Sequence, residues 1–217
     1  MADFNKLFSI DTPFARFMNN LADILIIGIL TLICCIPVIT IGAALTAAYY
    51  TIVKCVRKST GKVFAEYFKC FKNNFLQSLI PCIIFDIAFV VMAINIYYLW
   101  GNENKLNDSI FVVSIFVLVL LASVFIYFWP LLSRFPWKNI IILRTSLILS
   151  FKYIYVNLGI VLLFIVSLIL IFLMPWAILV IPGLFIFTVS FPLEWVVRKL
   201  MPPVEPDSEE ASKWYYN

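Results

Sequence analysis

Residues 156–197 read VNLGIVLLFIVSLILIFLMPWAILVIPGLFIFTVSFPLEWVV, 42 residues in which Glu194 is the only charged side chain. As a helix this run would reach roughly 63 Å, about twice the hydrocarbon thickness of a bilayer. Met174-Pro175-Trp176 falls near its middle. Proline breaks a helix and tryptophan favours the membrane interface, so the tripeptide predicts a turn between two crossings.

The rest of the chain agrees with that reading. Its 217 residues are 64% hydrophobic and only 13% charged, against about 45–50% and about 25% in a soluble domain. Three more regions are long and apolar enough to cross: Leu21 to Val53, Phe75 to Leu99 and Ser109 to Leu132. The first is 33 residues, about 50 Å as helix, long for one crossing and short for two. Pro37 with Gly42 predicts a turn there and two short, packed spans. The expected fold is an all-α polytopic bundle of six transmembrane helices. Five spans with a re-entrant or surface helix over Ile41 to Val53 is the alternative.

Residues 1–200 read as a single transmembrane domain. Pro202-Pro203 then stops the helix, and Glu205, Asp207, Glu209 and Glu210 mark 201–217 as a short acidic cytoplasmic tail. Near the start, Asp3, Lys6, Asp11 and Arg16 balance, and no small-residue cleavage site follows the first apolar run. That run is expected to stay as a span.

Charge sets the orientation. The connector 54–72 carries Lys54, Arg57, Lys58, Lys62, Lys69 and Lys72 against Glu66 alone, and the connector 133–152 carries Arg134, Lys138, Arg144 and Lys152 with no acid. Positive loops stay inside, so both connectors and both termini are expected in the cytoplasm. The segment 101–108, with Glu103 and Asp108 against Lys105, is expected outside.

Both connectors pattern as amphipathic surface helices. Lys62, Glu66, Lys69 and Asn73 recur on one face, with Phe64, Phe68, Phe71 and Phe75 opposite. In the second, Arg134, Lys138, Thr145 and Lys152 share a face away from Ile141, Leu143 and Leu147. Either helix suits a lid on anionic headgroups or a docking surface for a partner. Phe71-Lys72-Asn73-Asn74-Phe75-Leu76 and Phe151-Lys152-Tyr153-Ile154-Tyr155-Val156, 80 residues apart, also read as equivalent points of a weak internal repeat.

The chemistry open to the chain is narrow. With no histidine, Ser-His-Asp and Cys-His pairs and His-ligated zinc are excluded. Five cysteines without a C-x-x-C spacing read as buried thiols. No phosphate-binding loop, dinucleotide fingerprint or paired carboxylates occur. The chain is expected to be no enzyme, to hold no cofactor or metal, and to bind no nucleic acid.

Three acids lie in or near spans. Glu194 is expected to pair with Arg198 at i, i+4, and Asp23 to sit near a helix start. Asp86 lies about ten residues into its span, near the bilayer centre. There an acid is costly and marks a functional candidate, whether as a structural hydrogen bonder, a subunit contact or an ion-coupling group. Gly42/Thr46, Ala43/Ala47 and Ala44/Ala48 form small-xxx-small pairs that let helices approach closely.

The stretch Cys35-Ile36-Pro37-Val38-Ile39-Thr40-Ile41-Gly42-Ala43-Ala44-Leu45-Thr46-Ala47-Ala48-Tyr49-Tyr50 resembles the signature of the YesL-like family of small bacterial membrane proteins. The run Tyr67 to Phe75 and the ending Leu200-Met201-Pro202-Pro203 resemble it too. Pro37, Thr40, Gly42, Ala44, Thr46, Ala47, Tyr49 and Tyr50 are therefore the candidate partner or helix-packing face. The family is a domain of unknown function, encoded typically beside carbohydrate ABC importers in Gram-positive bacteria. The resemblance implies a non-catalytic accessory or regulatory subunit that binds the importer's transmembrane subunits in the bilayer and aids oligosaccharide uptake. An independent transporter or channel using Asp86 is the alternative.

Overall fold

The computed structural model describes residues 13–100 and 105–201. Helix α1 (Pro13–Cys34) turns through Cys35-Ile36-Pro37 into a short 3-10 turn, Val38–Thr40, which leads into α2 (Ile41–Thr51) and a π-helical end, Ile52–Arg57. Then follow α3 (Val63–Leu99), α4 (Lys105–Arg134), α5 (Asn139–Lys152) and α6 (Ile154–Leu173). A 3-10 turn, Pro175–Leu179, leads into α7 (Ile181–Arg198). No strand occurs among the described residues, and 6 helical stretches are long and apolar enough to cross a membrane. The fold is an all-α polytopic bundle.

The turn predicted at Met174-Pro175-Trp176 stands where α6 ends. The turn predicted at Pro37 with Gly42 is narrower: Cys35 to Pro37 make it, and Gly42 lies inside α2. Helix α1 begins at Pro13, well before Leu21, because the mixed segment Arg16 to Asn20 continues the helix without a break.

Two expectations about the connectors need correction. The first basic connector is not a separate surface helix; it is the opening of α3, a continuous helix of 37 residues. Such a helix measures about 55 Å and exceeds the hydrocarbon layer by roughly 25 Å. Lys62, Glu66, Lys69 and Lys72 place that excess at its N-terminal end. The proposed repeat loses its equivalence here, since 71–76 is helix interior while 151–156 contains the break at Tyr153 between α5 and α6.

Helix α5 is a separate helix as expected, burying Ile142, Ser146, Leu149 and Ser150 and exposing Ile141, Leu143 and Leu147. Arg134, however, is not on its polar face. It ends α4, with its side chain buried.

Lipid-facing stripes explain the composition. On α3, Leu76, Ile80, Ile84, Ile87, Val91 and Ile94 recur every three or four residues and are all exposed, a face that only a bilayer would cover. Helix α2 is the opposite case. Gly42, Ala43, Ala44, Thr46, Ala47, Ala48, Tyr49 and Thr51 are buried on all sides of it. Small side chains make this possible, and Thr46 and Thr51 return their hydroxyls to the carbonyls of Gly42 and Ala47 at 2.8 and 2.7 Å.

Around Gly42 the packing is aromatic. Phe85 of α3 meets Phe125, Phe128 and Trp129 of α4 edge-on, with centroids 5.4 to 6.1 Å apart. A Cβ on Gly42 would lie 2.5 Å from the Trp129 ring. Another close approach joins α1 to α7: a Cβ on Gly28 would lie 2.8 Å from the Gly183 nitrogen, and one on Gly183 would collide with the Ile24 carbonyl oxygen. Only glycine lets two backbones come this near.

Candidate functional site

The charged ends of four helical segments meet at one end of the bundle. Glu194 of α7 is 2% exposed. Arg134 of α4 donates to its Oε2 from Nη2 at 2.6 Å, and Tyr49 of α2 donates its hydroxyl to the same oxygen at 2.8 Å. Arg198, half-exposed, approaches the other carboxylate oxygen at 3.4 Å. The expected Glu194–Arg198 pair is thus present, but it is the outer member of a buried cluster.

Arg57, at the end of the π-helical turn, donates to the Ser190 carbonyl at 2.9 Å and lies 4.3 Å from the centre of the Phe191 ring. Its neighbour Lys58 has its ammonium pKa lowered by partial burial and then by the charge of Arg198. Chemically the cluster is a lock. One carboxylate accepts from a guanidinium and a phenol on different helices, so α2, α4 and α7 are held by a single buried acceptor.

Two cavities flank this lock. One, of about 510 Å³, is apolar and lies among Leu45, Phe89, Phe125, Trp129, Phe164 and Phe185, with Tyr49 and Leu193 in its wall beside the lock. The other, of about 320 Å³, is polar and lies between the basic end of α3 and the α4–α5 link.

The residues singled out from sequence are distributed as follows. Pro37 is exposed in the first turn, and Thr40 is buried with its hydroxyl on the Cys34 and Pro37 carbonyls. Gly42, Ala44, Thr46 and Ala47 are buried within this chain, chiefly against α3 and α4. Tyr49 joins the lock, and Tyr50, half-buried, takes a hydrogen bond from Lys54 at 3.2 Å.

Lys62 and Lys69 are exposed, but Glu66 is not on their water face. It turns inward to form an ion pair with Lys54 at 2.8 Å. Phe68 is exposed and Phe71 half-buried, because the inward stripe of α3 is instead Val63, Tyr67 and Cys70. Lys138 and Lys152 are exposed.

Asp86 stands apart from the lock. Half-exposed on α3, it accepts from the Cys82 thiol at 3.4 Å, one turn earlier, while the Gly42 amide donates to the same sulfur at 3.3 Å. A thiol of its own helix is thus one hydrogen-bond partner of Asp86.

Among the described residues no three Cys, Asp or Glu side chains gather as metal ligands, and all five cysteines are free. Burial, followed by the proximity of Cys34 and Cys82, pushes the Cys35 thiol up to about 11, so it stays protonated and unreactive at neutral pH.

The lock was missed in sequence because its members lie 60 and 145 residues apart. Its one visible trace is Glu194 itself, the lone charge in a 42-residue apolar run. Residues 14–96 match the model of a family described as "Protein of unknown function, DUF624". Neither the comparison with curated proteins nor that with solved structures returned a match. The chain is a polytopic α-helical membrane protein whose residues 14–96 are similar to the DUF624 family, to which YesL-like proteins belong.

Proposed function

We propose that this protein is a non-catalytic accessory or regulatory subunit of a carbohydrate ABC importer, seated in the bacterial plasma membrane with both termini in the cytoplasm. The importer follows from the YesL-like resemblance. The observation that carries a partner-binding role is the opening of α3. There Phe64 and Phe68, 56% and 48% exposed, stand beside Lys62 and Lys69 on a rigid helix that is longer than the bilayer is thick. Its opposite face, Val63, Tyr67 and Cys70, is fixed against α1 and α2. Exposed aromatics beside cations on a fixed scaffold suit a protein surface at the membrane's edge.

The alternative, an independent transporter working through Asp86, draws less support. Asp86 is absent from the walls of both cavities, and the hydroxyls of the interior are spent chiefly on backbone carbonyls of their own helices. The test is co-purification in mild detergent with the importer's own transmembrane subunits, beside uptake of the cognate oligosaccharide. A Phe64→Ser/Phe68→Ser variant should lose both. Uptake unchanged on deletion of the gene, with no importer subunit bound, would overturn the proposal.

A further inference from the structure

The polar cavity of about 320 Å³ at the basic end is a built pocket. Two ties fix its walls. Gln77 of α3 donates to the Trp137 carbonyl at 2.8 Å, and Asn139, opening α5, donates back to the Gln77 carbonyl at 3.0 Å. On α3 itself Asn74 is held by the Cys70 carbonyl at 2.9 Å. The α4–α5 link is stiffened by Phe135 stacked on Trp137 with ring centres 4.1 Å apart.

The wall chemistry has one sign. Lys69 and Asn73 contribute a cation and an amide, the Asn74 amide and the Ser133 hydroxyl being held by the Cys70 and Pro130 carbonyls, and no acid lines the cavity. Arg134 borders the pocket at the end of α4, but its side chain is buried against Glu194. The surroundings add to the potential. Segments 54–72, 134–152 and 198–199 carry twelve Lys and Arg against Glu66 alone, and Glu66 is already paired with Lys54. A concave site with low-dielectric walls and one sign of charge concentrates counter-ions of the other sign.

We propose that this pocket binds a phosphate-bearing anion, with Lys69 as its charge partner and Asn73 as an amide donor. Lys69 and Asn73 lie one turn apart on α3, and a phosphate offers such a pair more acceptor oxygens than a carboxylate does. The chemistry is shared by two sources, the headgroup of an anionic phospholipid and a soluble phosphate.

The experiment uses the purified full chain in detergent, with lysophosphatidylglycerol and inorganic phosphate as probes and native mass spectrometry or tryptophan fluorescence as readout. Lys69→Gln and Asn73→Leu should each weaken binding by about tenfold, the loss of one hydrogen bond to a charged group. Lys152→Gln, outside the pocket, should leave it unchanged. Lys69 and Asn73 are exposed, and far-UV circular dichroism verifies that both variants keep their helices. Loss of lysophosphatidylglycerol binding in these variants assigns the pocket to a lipid headgroup; loss of phosphate binding alone assigns it to a soluble anion. Either result supports the site. Binding of neither probe, or binding equally strong in wild type and both variants, overturns it.

Discussion

Replacing Glu194 with leucine removes the one acceptor that three helices share. Arg134, with 1% of its side chain exposed, is then a buried charge without its carboxylate, a loss of about 3–5 kcal/mol. Tyr49, 3% exposed, loses the acceptor of its hydroxyl, by itself about 1–3 kcal/mol. Arg198, with 46% of its side chain in contact with the surroundings, adds less than about 1 kcal/mol. These contributions overlap because they involve one carboxylate, so the expected total is about 3–5 kcal/mol, a shift of roughly 10² to 10³ or more in the folded-to-unfolded ratio.

The charge argument has a second arm. In Arg134→Met/Glu194→Leu neither charge is left buried, and the loss should shrink to that of the Tyr49 hydroxyl, about 1–3 kcal/mol. The assay is reversible unfolding by SDS titration in mixed micelles, followed by helical circular dichroism, on both single variants and the double. Strong coupling is expected, with the double variant more stable than Glu194→Leu. A Glu194→Leu protein within about 0.5 kcal/mol of wild type, or additive singles, would refute the lock.

Gly183→Ala should destabilise by about 1–3 kcal/mol or prevent assembly, because its Cβ meets the Ile24 backbone carbonyl, which cannot swing aside; the same SDS titration reads it. Ala44→Leu and Ala47→Leu, at positions with 0% exposure, should cost about 1–3 kcal/mol or more by overpacking, and normal stability in both would show that α2 is not sheathed. Asp86→Asn, which keeps an acceptor for the Cys82 thiol, should preserve sugar uptake and complex formation; loss of uptake with the complex intact would favour the coupling role instead. Cysteine labelling from outside, on a background without other cysteines, should modify position 104 and spare positions 60 and 210. Labelling at 60 would reverse the orientation.

Much of the architecture was legible in the order of residues because a bilayer imposes a length. Runs such as 156–197 and 109–132 exceed what any soluble core needs, and Pro175 and Pro37 divide the two that are too long for one crossing. The buried character of Gly42, Ala43, Ala44, Thr46, Ala47 and Ala48 was equally readable, since side chains this small have little else to offer than close packing. Composition also excluded histidine chemistry outright.

The tertiary structure alone decided which face of a helix is inward when both faces are apolar or both carry cations. The aromatic stripe Phe64, Phe68, Phe71 could face lipid or neighbouring helices by its pattern alone; in the bundle Phe64 and Phe68 are exposed, and Tyr67 and Cys70 are the buried ones. Arg134, Glu66 and Glu194 had the sequence context of surface charges. Each found its main partner on another helical segment, in pairs separated by 12, 60 and 145 residues. Hydrophobic periodicity reports exposure to water, and in a bilayer the lipid side and the packed side are equally apolar. Pairing across helices therefore leaves no local trace, and only the folded bundle brings Tyr49, Arg134 and Glu194 to one point.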